Sequence, residues 1–160
     1  MEAAMKKFTF GFIIGVICSA IAAWILMPKL MLTVRESKFD VEKTVAEIKS
    51  AAEKNGWQVP KIYNIQASLQ KAGYKDATPV KIMSLCQPDH AYKILKDNDD
   101  RKVSAIMPCR IGIFKADDGK TYISGMNMGL MGKMFGGTIA KVIACVSEEE
   151  HRILKNVIKK

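Results

Sequence analysis

Residues 103–124 read VSAIMPCRIGIFKADDGKTYIS, and the reading of this stretch decides the fold. Two β-prone runs, Val103–Lys115 and Lys120–Ser124, flank Ala116-Asp117-Asp118-Gly119. Gly119 readily takes the positive φ that such loops need, so the pattern predicts a β-hairpin. Pro108 cannot donate to a ladder and marks an edge, a bulge or a strand start at that point.

Upstream, Pro79 introduces VKIMSL, where Val80 and Ile82 alternate with Lys81 and Met83 as in a strand. Gln87-Pro88 then opens a helix, because the amide proton that proline lacks would be unpaired in the first turn anyway. Ala91, Ile94 and Leu95 give that helix a core face, and residues 97–100 end it. Earlier, Asp40 caps a helix from Val41 to about Asn55 with Gly56 as its stop, and 61–65 reads as a short strand. Residues 66–78 read as a polar connection. Downstream, residues 125–146 (GMNMGLMGKMFGGTIAKVIACV) are rich in Gly and Met, and Ser147 with Glu150 predicts a capping box for a last helix through Ile158. The expected fold class is α+β, a small antiparallel or mixed sheet with packed helices.

One transmembrane helix is expected ahead of this domain. From Phe8 to Pro28 there is no charged residue, and roughly 20 apolar residues span a bilayer core. The apolar run continues through Trp24-Ile25-Leu26-Met27, past the Ala20-Ile21-Ala22 segment where a signal peptidase would cut, which favours an uncleaved anchor. The expected division is residues 1–33 as anchor and 34–160 as domain. Lys6 and Lys7 are nearly balanced by Lys29, Arg35 and Lys38 in the charge rule for topology. A short head is easily retained, so the expectation is a single span in the inner membrane with the domain periplasmic or extracellular.

The chain of 160 residues carries a net charge of +9, with 20 basic and 14 acidic residues from Phe39 onward. The basic residues are dispersed, with no aromatic-interleaved stripe or zinc-finger spacing, so no nucleic-acid partner is expected. No Ser-His-Asp arrangement, phosphate loop or dinucleotide fingerprint is present, and GLMGKMFGG lacks the ending of a P-loop. Cys18, Cys86, Cys109 and Cys145 form no CxxC pattern, which argues against covalent haem and a zinc knuckle.

Cys86 and Cys109 lie at or beside strands, the first followed by Gln87-Pro88 and the second preceded by Met107-Pro108, and His90 follows Cys86 by one turn. Thiolate and imidazole suit copper, zinc or iron. Met126 and Met128 add thioethers, soft ligands for copper(I), so these residues are the metal candidates, with copper or haem as the cofactor. Met131, Met134 and Phe135 at helical spacing form the other group, an adaptable contact surface. His151, among Glu148, Glu149 and Glu150, reads as an exposed helical histidine, the acidic trio sitting at a helix amino end.

Phe39-Asp40, Thr44-Val45, Gly73, Cys86-Gln87-Pro88 with Ala91, Pro108-Cys109-Arg110 and Asp118-Gly119-Lys120 together resemble bacterial domain-of-unknown-function family 302. The ending GMNMGLMGKMFGG looks like its Met-rich subset. The resemblance covers about Val34 to Ile158. It implies a small α+β domain, often exported and often a homodimer, without an established activity. The expected function is a membrane-anchored domain that binds a soft metal or haem or cycles thiols, with a redox or metal-transfer protein as partner. The alternative is a non-catalytic dimerising module that docks a protein or the membrane through its Met/Gly segment.

Overall fold

The computed structural model describes residues 2–159, with side chains from residue 10 onward. The chain forms two units, the first ending at Leu32 and the second beginning at Thr33. The first is helix α1 (Glu2–Met31). Its stretch Phe10–Met31 has 22 residues and mean hydropathy 2.4, long and apolar enough to cross a membrane, and none of it is buried.

The second unit is an α+β domain. Its strands are β1 (Leu32–Glu36), β2 (Gln58–Asn64), β3 (Val80–Cys86), β4 (Cys109–Lys115) and β5 (Thr121–Met126), in one five-stranded sheet of order β1-β5-β4-β3-β2. The pairs β2/β3, β3/β4 and β4/β5 are antiparallel. Along the edge, Thr33 Oγ1 donates to the Gly125 carbonyl at 3.3 Å and the Ser37 amide donates to the Thr121 carbonyl at 2.8 Å. The partner number falls as β1 advances, so this pair is antiparallel too.

The helices are α2 (Val41–Lys54), α3 (Ile65–Lys71), α4 (Pro88–Leu95), α5 (Met128–Met134) and α6 (Gly137–Leu154). Asp40 accepts from the Lys43 amide at 2.8 Å and starts α2, while Gly56 with φ +78° follows its end. Gln87 accepts from the His90 amide at 2.8 Å and starts α4 with Pro88 in its first turn. The hairpin closes through the Ala116 amide to the Lys120 carbonyl at 2.9 Å, with Gly119 at φ +78°.

Two local expectations are corrected and one strand is added. Residues 103–108 are not strand: Asp100–Ile106 is a 3-10 helix, the Met107–Pro108 peptide is cis, and the ladder begins at Cys109. Pro108 has no proton to give a ladder, which fits a strand that starts beside it. No new helix begins at Ser147, because α6 runs through it unbroken. Ile139, Val142, Ile143, Val146, Ile153 and Leu154 form one buried stripe at helical spacing, which overrides the local capping signal. Finally, β1 was hidden in the sequence because its first residue, Leu32, reads as the tail of the apolar anchor.

Strand pleating builds the core. Ile111 and Ile113 of β4, Met83 and Leu85 of β3 and Ile123 of β5 are buried together with Ile48 and Ala52 of α2 and the α6 stripe. All buried core residues lie between Val41 and Val157, so the second unit carries a complete core of its own. Beside that core, the Ser37 and Thr44 hydroxyls share a hydrogen bond of 2.6 Å and tie the end of β1 to α2.

Ile113 is fully buried, and Ile113→Ala is expected to cost about 2–5 kcal/mol in urea unfolding of residues 33–160. Lys61→Ala, on the exposed edge strand β2, is expected to stay within about 0.5 kcal/mol of wild type. Equal losses would contradict this placement of the core.

Candidate functional site

Cys109 begins β4, and the alternation that buries Ile111 and Ile113 turns it toward the same face. Two adjoining apolar cavities meet at its side chain. The first, about 30 Å³, is lined by Cys109 with Met126, Met128, Met131, Trp57 and Glu150, among others. The second, about 60 Å³, is lined by Cys109 with Cys86, His90, Met107, Met128 and Trp57, among others. Cys109 and Met128 therefore border both spaces, and every sequence-derived metal candidate borders at least one. Met126 closes β5, Met128 opens α5, and Asn127 between them caps α5 by accepting from the Leu130 amide at 3.1 Å.

Cys86 and Cys109 are not cross-strand partners. Leu85 stands opposite Cys109, and Cys86 follows one residue on at the end of β3, where it borders the second cavity together with Cys109. Both are free thiols. Among the described residues no three His, Cys, Asp or Glu side chains converge, so the donors gathered here are mainly sulfur.

The contact-surface group divides. Met131 is buried at 7 % exposure and lines the first cavity, Phe135 packs partly buried against the core, and Met134 alone projects, 58 % exposed. Met131 thus stands as a wall of the cavity. A seven-residue helix laid against α6 has to turn one side inward, and Met131 lies on that side. His151 is exposed as expected.

Glu149, Glu150 and Trp57 were not singled out by the sequence reading. With α6 continuous, Glu149 and Glu150 fall three and four residues after Val146, on the inner stripe and far from the helix amino end. Glu149 Oε2 accepts from Trp57 Nε1 at 2.8 Å and lies 3.2 Å from His90 Nε2. The Trp57 and His90 rings meet edge to face at 6.4 Å. His90 Nδ1 is buried with no hydrogen-bond partner among the described residues. The unbroken helical period through Ser147 was the signal that would have found the two glutamates.

Outside the first cavity lies an open polar cleft of about 530 Å³ bordered by Arg35, His151 and Arg152, and Met126, Met128 and Glu150 line both spaces. Burial pushes the Glu150 carboxyl up against the opposing influence of Arg35, favouring its neutral form. Burial also pushes the Cys109 thiol up to about 11 from 9.0, with Glu150 and Cys86 adding to the rise.

The Cys109 thiol is therefore protonated at neutral pH, and its ionisation opposes folding at high pH. A group with a raised folded pKa contributes stability that is intact below the unfolded value and lost as pH climbs through the folded one. Between pH 9 and 11, wild type is expected to lose stability more steeply than Cys109→Ala, by up to about 1.4 kcal/mol per pH unit. Chemical denaturation across that range checks this, and parallel slopes would contradict a buried thiol.

Comparison with known proteins gives a family and a fold. The structure is similar to that of an uncharacterized conserved protein DUF302 from Bacillus stearothermophilus, with TM-score 0.70 and 20 % identity over 79 % of this chain and 98 % of that one. That likeness concerns the fold alone. Among curated proteins there is no match. Residues 33–159 match the family described as Domain of unknown function DUF302. With nearly all of its second unit matched, the chain belongs to the DUF302 family.

Proposed function

We propose that this protein is a membrane-tethered binder of a soft metal ion, best copper(I), held by the Cys109 thiolate with the thioethers of Met126 and Met128. The observation that carries the reading is the first cavity, where those three sulfur side chains line one small apolar space. Thioethers select copper(I) over zinc, magnesium or calcium. Charge balance agrees: a monovalent ion and one thiolate form a neutral unit, whereas a buried net charge is costly.

Size separates an ion from haem. Small-molecule pockets run to about 300–1,000 Å³, far above the cavities of about 30 and 60 Å³ beside Cys109. The larger cleft outside is open and of mixed character, edged by Arg35, Glu148 and Arg152. The first cavity sets Cys109 beside two thioethers and without Cys86, so a paired-thiol redox cycle has less support than metal binding.

In this reading α1 spans the inner membrane and the domain works outside the cytoplasm, in the Met-rich branch of its family, passing its ion to a redox or metal-transfer partner. Met126 and Met128 border the open cleft, so the ion has a route to solvent. The docking-module reading keeps one supporting observation, the exposed Met134 beside the glycines of its segment.

Copper(I) titration of residues 33–160 against a chromophoric chelator tests the proposal. One equivalent is expected to bind, and Cys109→Ser to weaken it by more than roughly 100-fold, the upper range of loss even for groups that only support a ligand. The joint change Met126→Leu with Met128→Leu is expected to weaken it as well. Equal affinity in wild type and Cys109→Ser would sink the reading.

A further inference from the structure

We infer that Glu149, held by Trp57, is a positioning residue that fixes His90 in the tautomer protonated at Nε2, so that Nδ1 offers its lone pair to the cavity shared by Cys109 and Met128. The hydrogen-bond inventory leads there. Indole nitrogen only donates, so Glu149 Oε2 accepts from Trp57 Nε1 at 2.8 Å. The same oxygen lies 3.2 Å from His90 Nε2, and a carboxylate has only lone pairs to give, so Nε2 must carry the proton. A neutral imidazole then keeps Nδ1 bare.

That bare nitrogen is buried without a partner, on a side chain only 13 % exposed. Leaving a buried acceptor unsatisfied is costly, and a native structure that does so calls for a cause. The His90 ring stands on the wall of the second cavity, whose lining includes Cys109 and Met128. The remainder of that wall is mostly apolar and offers few protons for the nitrogen to accept.

A carboxylate behind an imidazole is the arrangement that orients histidine ligands toward metals and raises their basicity. The element packing explains how it is held. The first turn of α4 is fixed by the Gln87 cap on His90, Glu149 comes from the inner stripe of α6, and Trp57 precedes β2. Three separate elements thus fix one ring. The inference rests on the copper reading for the identity of the ligand, but the tautomer belongs to the metal-free domain.

The test uses ring-nitrogen NMR on residues 33–160 labelled at histidine. The metal-free wild type is expected to show His90 with a protonated Nε2 and a bare Nδ1, and this readout needs no variant to fold. A proton on Nδ1, or rapid exchange between the two forms, would overturn the inference. Adding copper(I) is expected to shift Nδ1 while Nε2 keeps its proton, and an unmoved Nδ1 in a copper-loaded domain would overturn it equally. Glu149→Gln keeps the volume but removes the charge. It is expected to mix the tautomers and weaken copper(I) by roughly 10- to 100-fold, and no change in either quantity counts against the positioning role. The two readings fail separately: unaltered binding in Cys109→Ser removes the sulfur site, whatever the state of His90.

Discussion

The pleat of β4 is the constraint on which the rest depends. Ile111 and Ile113 must face the helices to be buried, and the strand's period of two then commits Cys109 to the same side. A slip of one residue would expose both isoleucines and turn the thiol away. The position of Cys109 is thus fixed by the folding energy of its neighbours. The same register places Leu85 opposite it, while Cys86, at the end of β3, borders only the second cavity, so the two thiols play unequal parts.

Burial then sets the chemistry of that thiol. Surrounded by Trp57, Met126, Met128 and Met131, Cys109 holds its proton to about 11, and burial raises the nearby Glu150 carboxyl as well. Such a site resists casual oxidation, because the thiolate is the reactive species. Any metal bound there has to displace that proton, so its affinity rises with pH. Met126 and Met128 join this inner space to the open cleft, and His90 borders the second space from the other side.

Much of this fold was legible in the sequence, for identifiable reasons. Asp40, Gly56, Pro88 and Gly119 each announce an element boundary through a local rule that tertiary packing does not overturn. The misreadings arose where local and non-local signals compete. Ser147 and Glu150 look like a capping box, yet the apolar stripe from Ile139 to Leu154 keeps the helix whole. The β-prone run before Pro108 winds into a 3-10 helix, and the ladder begins only after that proline.

The candidate site was legible as a list of residue types and not as an arrangement. Cys86, His90, Cys109, Met126 and Met128 were identified by their chemistry, and the structure draws them around two adjoining cavities. The helical period reaching Glu149 was readable, but its pairing with Trp57 and His90 arises only when α4, α6 and the start of β2 meet. The central claim is that sulfur at Cys109 is a metal ligand, and X-ray absorption at the copper edge of the copper(I)-loaded domain tests it most directly. The account predicts sulfur neighbours at the metal that diminish in Cys109→Ser, and a shell of nitrogen and oxygen alone would contradict it.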